Sequence, residues 1–246
     1  MVITLTVKKI ILALLGSALI LSAAGCSGNN TSRTDAESAG QTQSARTDDQ
    51  QRDAQSEQAG DSGANVDGNI LIAYFTVPET DGTDTSASAS RVADGGEVYG
   101  NTQYIAQLIQ ESVGGDLFAI RTVAEYPGTH DELLDYAYNE LRDDARPELE
   151  SRIDNLADYD VIFIGYPNWN SELPMPMYTF FEEHDFSGKT IVPFVTHGGS
   201  GFSRTIRTIE ELEPDANVVS DGLSISRNNV ANACDDAAEW ARSLEL

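Results

Sequence analysis

The sequence predicts an α/β fold, a three-layer, doubly wound, five-stranded parallel sheet, and two observations carry that expectation. Three short runs, Ile70–Phe75, Asp160–Tyr166 and Thr190–Val195, are almost unbroken in apolar residues, as strands buried on both faces are. Segments with apolar residues at helical spacing separate the predicted strands. Strict alternation of strand and helix implies parallel pairing with helices on both faces.

Taken in order, Ile70–Phe75 is the first strand, and Thr102–Ile109 changes period to a helix with Ile105, Leu108 and Ile109 on one side. Asn101 is its expected N-cap. Residues 77–98 intervene as a long insertion rich in Ser, Ala, Asp and Thr; a loop of that length is often a lid, a partner surface or an excursion. Asp116–Arg121 reads as the second strand. Thr129 with Glu132 matches a capping box for a helix to about Ala145, with Leu134, Ala137, Tyr138 and Leu141 expected inward. After the third strand, Asp160–Tyr166, and the loop Pro167–Leu173, a helix begins around Pro174–Pro176 and carries Met177, Phe180 and Phe181 inward. The fourth strand, Thr190–Val195, is followed by a helix over about Ser203–Leu212. Asn217–Val219 starts the last strand, and a helix from about Asn229 presents Val230, Ala233, Ala237, Trp240 and Leu244. Cys234 falls in that helix, where packing is expected of it.

The chain divides into three parts. Residues 1–25 read as a secretory signal: Lys8 and Lys9, then apolar runs, then small residues. The ending Leu21-Ser22-Ala23-Ala24-Gly25-Cys26 resembles the lipobox of bacterial lipoproteins, which implies cleavage before Cys26 and lipid attachment to its sulfur. Residues 26–68, rich in Ser, Gln, Asp, Ala and Gly, cannot bury enough surface to offset their ordering entropy and read as a disordered tether. Residues 69–246 suit one domain. That arrangement predicts an extracytoplasmic domain, lipid-anchored to the bacterial cell membrane. From Asn69 onward there are 32 acidic and 10 basic residues, a charge of −22 within a whole-chain −25. Such a surface argues against nucleic acid and anionic membranes and favours basic partners.

Unusual residues gather after the first, third and fourth strands. The first loop holds Thr76 and, past the insertion, Gly100, Asn101 and Thr102; a strand, a glycine and a helix start make an anion site suited to a phosphate. The second holds Pro167, Asn168, Trp169 and Asn170, and the third holds Thr196, His197, Gly198, Gly199, Ser200 and Gly201. In a parallel sheet these carboxyl ends are where ligands bind. With these loops, residues 69–246 resemble the flavodoxin-like superfamily. The resemblance implies strand order 2-1-3-4-5 and FMN as cofactor. Thr76 matches the first hydroxyl of the family's phosphate loop, and Gly100, Asn101 and Thr102 match its Gly-x-Thr end. Trp169, flanked by Pro167 and Asn168, matches the aromatic that covers one flavin face. Thr196, Gly198, Gly199 and Gly201 match the loop along the flavin edge, with His197 beside them. The insertion departs from the family's usual short connection, and the third loop lacks the tyrosine that stacks on the second face in carrier flavodoxins. Phe202 is the nearest aromatic and is expected to point inward.

The resemblance implies electron transfer through FMN with a redox partner protein or small-molecule acceptor, and no side chain is required as a proton donor. An acidic surface is expected to disfavour the anionic reduced flavin. An open second face would suit an FMN-dependent NAD(P)H or quinone oxidoreductase. A cofactor-free binding domain is the remaining class. Gly198-Gly199-Ser200-Gly201-Phe202 does not fit Gly-x-Ser-x-Gly, and His130, His184 and His197 are too scattered to suggest a metal site.

Overall fold

The computed structural model describes residues 69–80 and 90–244. The signal at 1–25, Cys26, the tether at 26–68 and the middle of the 77–98 insertion lie outside the described residues.

The sheet is built from β1 (Ile70–Phe75), β4 (Asp116–Ile120), β5 (Val161–Pro167) and β6 (Thr190–His197), with β7 (Asn217–Val218) and β8 (Leu223–Ser226) along the far side of β6. All pairings are parallel, in the order β4-β1-β5-β6, then β7 and β8. This is the expected 2-1-3-4-5 order with its fifth strand in two pieces. β7 pairs with Thr190 and Ile191, and β8 with Phe194 to His197. β8 went unread because Leu223-Ser224-Ile225-Ser226 buries only Leu223 and Ile225; an edge strand of four residues leaves a short alternation, not an apolar run.

β1 shows how the two halves of the core arise. Its side chains alternate across the sheet. Ile70, Ile72 and Tyr74 pack with α1 (Asn101–Val113) and α5 (Cys234–Ser243); Leu71, Ala73 and Phe75 pack with α3 (Met175–Glu183) and α4 (Thr205–Leu212). Met177, Phe180 and Phe181 of α3 are buried as expected, as are Val230, Ala233 and Ala237, although a 3-10 turn at Val230–Asn232 precedes α5. Cys234 is half-buried against the first half of the core.

Four local readings differ from the structure. The N-cap of α1 is Gly100, and Asn101 is the first helical residue. In α2 (His130–Arg142) the buried residues are Leu133 and Ala137, while Leu134 and Tyr138 are exposed. The Thr129 hydroxyl meets Glu132 Oε2 at 2.6 Å instead of capping the backbone. The insertion is not structureless where described: β2 (Arg91–Asp94) and β3 (Glu97–Gly100) form an antiparallel hairpin. Its turn uses Gly95 and Gly96, both at positive φ, where glycine carries no Cβ penalty.

Candidate functional site

The three loops meet at the carboxyl ends of β1, β5 and β6. β1 delivers Thr76, whose side chain lies against Gly100 at the end of β3. A Cβ on Gly100 would sit 2.8 Å from Thr76 Cγ2 and overlap its hydroxyl oxygen. Glycine is therefore required for the two ends of the insertion to close over one another. Closure places the start of α1 directly beyond β1.

The first turn of α1 has four backbone donors with no intrahelical acceptor. The Asn101 N–H donates to Ser90 O at 2.9 Å, and the Gly100 N–H to Gln103 Oε1 at 3.3 Å. The N–H groups of Thr102 and Gln103 remain at the helix end, where the dipole favours negative charge. Asn101 and Thr102 are themselves buried.

Thr102 links this loop to the third. Its hydroxyl and that of Thr196 are 2.8 Å apart, both buried, across 94 positions of sequence. The Thr196 carbonyl accepts the Asn168 N–H at 2.8 Å. The Asn168 side chain then donates through Nδ2 to Gly201 O at 2.7 Å and to Ser203 Oγ at 3.2 Å. Its Oδ1 is buried with no hydrogen-bond partner among the described residues. An acceptor left in that state suits an N–H donor from a ligand, since a buried polar atom is rarely left unpaired.

Trp169 stands on a tight turn. Its N–H donates to Glu172 O at 3.2 Å and the Glu172 N–H returns to Trp169 O at 2.9 Å. Asn170 and Ser171 between them are both left-handed, at φ 53° and 65°, the conformation of a type I′ turn. The indole packs edge-on to Phe75 at 5.5 Å and tilted to Tyr126 at 5.5 Å. Below it, the buried Glu172 carboxylate accepts from the Leu173 N–H at 3.0 Å and the Thr208 hydroxyl at 3.1 Å and pairs with Arg204. The turn is thus fixed to α4.

In the third loop, His197 Nδ1 accepts the Gly199 N–H at 2.9 Å. Burial holds the imidazole below its ordinary pKa, so the ring is neutral near pH 7 with its proton on Nε2. Gly199 and Gly201 take positive φ, and Phe202 packs inward on the second half of the core.

Asn101, Pro167, Asn168, Trp169, Thr196, His197 and Gly198 line one open cleft. Thr76, Gly100 and Thr102 form the adjoining helix start, and Gly199 and Gly201 shape the third loop without lining the cleft. The sequence reading missed Glu79, Ser90, His130, Leu134 and Arg227, which line it too. Glu79 is buried, takes the Ser90 N–H at 3.0 Å and lies 2.5 Å from His130 Nδ1. That contact ties the base of the insertion to α2. No spacing in the sequence joins Glu79 to His130, and Arg227 follows the strand that went unread.

Hydroxyls and helix N–H groups for an anion, an aromatic wall and a glycine-rich edge with an unpaired amide oxygen fit the phosphate and flat heteroaromatic ring of a flavin mononucleotide. The model of the flavodoxin family matches residues 96–243, more than half of the chain. The match begins beyond β1, so Thr76 is placed by the fold alone. A candidate flavoprotein from Bacteroides eggerthii DSM 20697 is 28% identical over 70% of this chain and 98% of its own, with a TM-score of 0.51. Another, from Bacteroides uniformis ATCC 8492, is 26% identical over 72% and 99%, with a TM-score of 0.52. A flavoprotein from Lactobacillus acidophilus NCFM, solved in complex with FMN, is 19% identical over 70% and 99%, with a TM-score of 0.47. Among curated proteins nothing matches.

Proposed function

The chain belongs to the flavodoxin family, and from that premise we propose that it binds FMN where the three loops meet and transfers electrons through it. The observation that carries the reading is the junction itself. Thr102 is bonded to Thr196, and Asn168 to Thr196, Gly201 and Ser203, so the three loops form one preorganised crevice at the carboxyl ends of β1, β5 and β6.

In this reading Thr76, Gly100, Asn101 and Thr102 hold the phosphate through hydroxyls and the end of α1. Pro167, Asn168 and Trp169 flank the ring system and exclude water from one face. Thr196, His197, Gly198, Gly199 and Gly201 bring backbone groups to its edge. Bound FMN supplies the redox chemistry, and the protein supplies its position and electrostatics. No side chain is assigned as a general acid or base.

The location is part of the proposal. Lys8 and Lys9 before an apolar run, and the ending Leu21–Cys26, support a cleaved signal, lipid attachment at Cys26 and an extracytoplasmic domain on the tether 26–68.

One observation favours a second reading. Phe202 packs into the core, so the third loop offers no aromatic to the other flavin face, and a nicotinamide or quinone can stack there. Reconstituting the purified protein with FMN and reducing it stepwise without oxygen, followed by visible spectroscopy, tests both. A bound flavin that takes up electrons singly supports the carrier. Direct two-electron bleaching supports the oxidoreductase, and a protein that stays colourless overturns the proposal.

A further inference from the structure

Among the described residues, the acidic domain places one uncommitted cation in its cleft. Arg227 follows β8 directly, and its N–H donates to His197 O at 2.8 Å, so the two residues sit side by side at the ends of β8 and β6. The Arg227 guanidinium runs along Gly198: a Cβ there would lie 3.4 Å from Cζ and 3.5 Å from Nη1. Among the described residues Arg227 is the only arginine or lysine lining the cleft, and its side chain has no hydrogen bond or ion pair. That is unexpected where 32 acidic residues outnumber 10 basic ones. Glu79, the one carboxylate lining the cleft among the described residues, is already engaged by Ser90 and His130.

His197 adds a second donor. With Nδ1 taken by the Gly199 N–H, the neutral ring presents Nε2–H, which has no partner among the described residues. Two uncommitted donors, one charged and one neutral, therefore flank Gly198 in the loop that the family resemblance sets along the flavin edge. Donors without acceptors at a cleft wall suit a group that carries negative charge on oxygen or nitrogen.

We propose that Arg227 and the Nε2–H of His197 form a two-donor site for the negative charge that bound FMN acquires on reduction, so that the protein binds the reduced cofactor more tightly than its acidic surface would allow. This rests on the FMN reading above. On taking up two electrons and one proton the neutral isoalloxazine becomes a monoanion, with its charge on the pyrimidine N1–C2–O2 edge. Glu79 in the cleft is engaged by Ser90 and His130, and the buried Glu172 is paired with Arg204. Most of the remaining carboxylates that oppose that charge are dispersed and solvent-screened, whereas Arg227 acts within the cleft.

The test compares dissociation constants of oxidised FMN and of FMN reduced with dithionite, for the wild type, Arg227→Gln, Arg227→Lys and His197→Ala. Arg227→Gln is expected to weaken reduced FMN by about tenfold and oxidised FMN by about twofold at most, because only the reduced ring is charged. Arg227→Lys keeps the charge and is expected to retain most of the preference. His197→Ala is expected to give a smaller loss in the same direction. Among the described residues Arg227 has no side-chain bond to lose, so an unchanged thermal midpoint verifies folding. If Arg227→Gln binds FMN but the ratio of the two constants stays at the wild-type value, this inference is overturned and the FMN reading stands. A wild type that binds neither form overturns both.

Discussion

Thr102 and Thr196 carry more of the site than their size suggests, because their hydroxyl contact is buried and is the direct bond between the first and third loops. A buried hydrogen bond is expensive to half-remove and cheap to remove whole. Thr196→Val leaves the Thr102 hydroxyl in the core without that partner, which is expected to cost about 1–2 kcal/mol. Thr102→Val/Thr196→Val replaces both hydroxyls with methyls of similar volume and is expected to recover much of that loss. Urea denaturation of the single and double variants reads the difference, and additive losses would show that the hydroxyls do not depend on one another. Both threonines were legible as site residues from the loops they open. Their pairing was not, since nothing local to either marks a partner 94 positions away.

At the scale of elements, the Trp169 turn is fastened to α4 by an ion pair whose partners differ in burial, and that asymmetry has a measurable sign. The Glu172 side chain is 2% exposed and that of Arg204 70%. Arg204→Ala leaves a buried carboxylate with no cation and only neutral donors, among them the Leu173 N–H and the hydroxyls of Thr208 and Tyr178, and is expected to cost about 3 kcal/mol. Glu172→Gln leaves an arginine that water can solvate, and is expected to cost about 1 kcal/mol. Thermal unfolding of the two variants checks the order, and a larger loss for Glu172→Gln would contradict it. The same contrast between one face and two explains what the sequence revealed of the fold. β1, β5 and β6 are covered on both sides, so their apolar runs are unbroken and were read within two residues. β8 shows one apolar face in four residues, and α2 has Leu133, Leu134, Tyr136, Ala137, Tyr138 and Leu141 spread round its circumference. With apolar residues on more than one side, periodicity alone does not choose the inward face. There it points to Leu134, Ala137, Tyr138 and Leu141, and packing buries Ala137 together with Leu133 while leaving Leu134 and Tyr138 exposed. The β2–β3 hairpin did carry a readable signal, Asp94-Gly95-Gly96 between two short runs, obscured by the irregular composition before it.

For the whole molecule the governing quantity is the charge of −22 from Asn69 onward, and it separates the two functional readings. A long-range field of one sign accelerates encounter with partners of the other sign and does nothing for neutral ones. Raising ionic strength from about 0.01 M to about 0.15 M shortens the screening length from about 30 Å to about 8 Å. If the protein delivers electrons to a basic protein, the second-order rate measured by stopped flow with a basic haem protein as probe is expected to fall by about tenfold or more across that range. If it acts on a neutral quinone, the rate with benzoquinone is expected to be nearly independent of salt. Arg227 does not blur this comparison, because a single cation within the cleft alters the cofactor's balance of forms without changing the sign of the far field. A steep salt dependence with the haem protein together with slow benzoquinone reduction would identify the carrier. Fast, salt-independent benzoquinone reduction with a flat response to the haem protein would identify the oxidoreductase, because the molecule's charge would then serve its solubility and not its electron transfer.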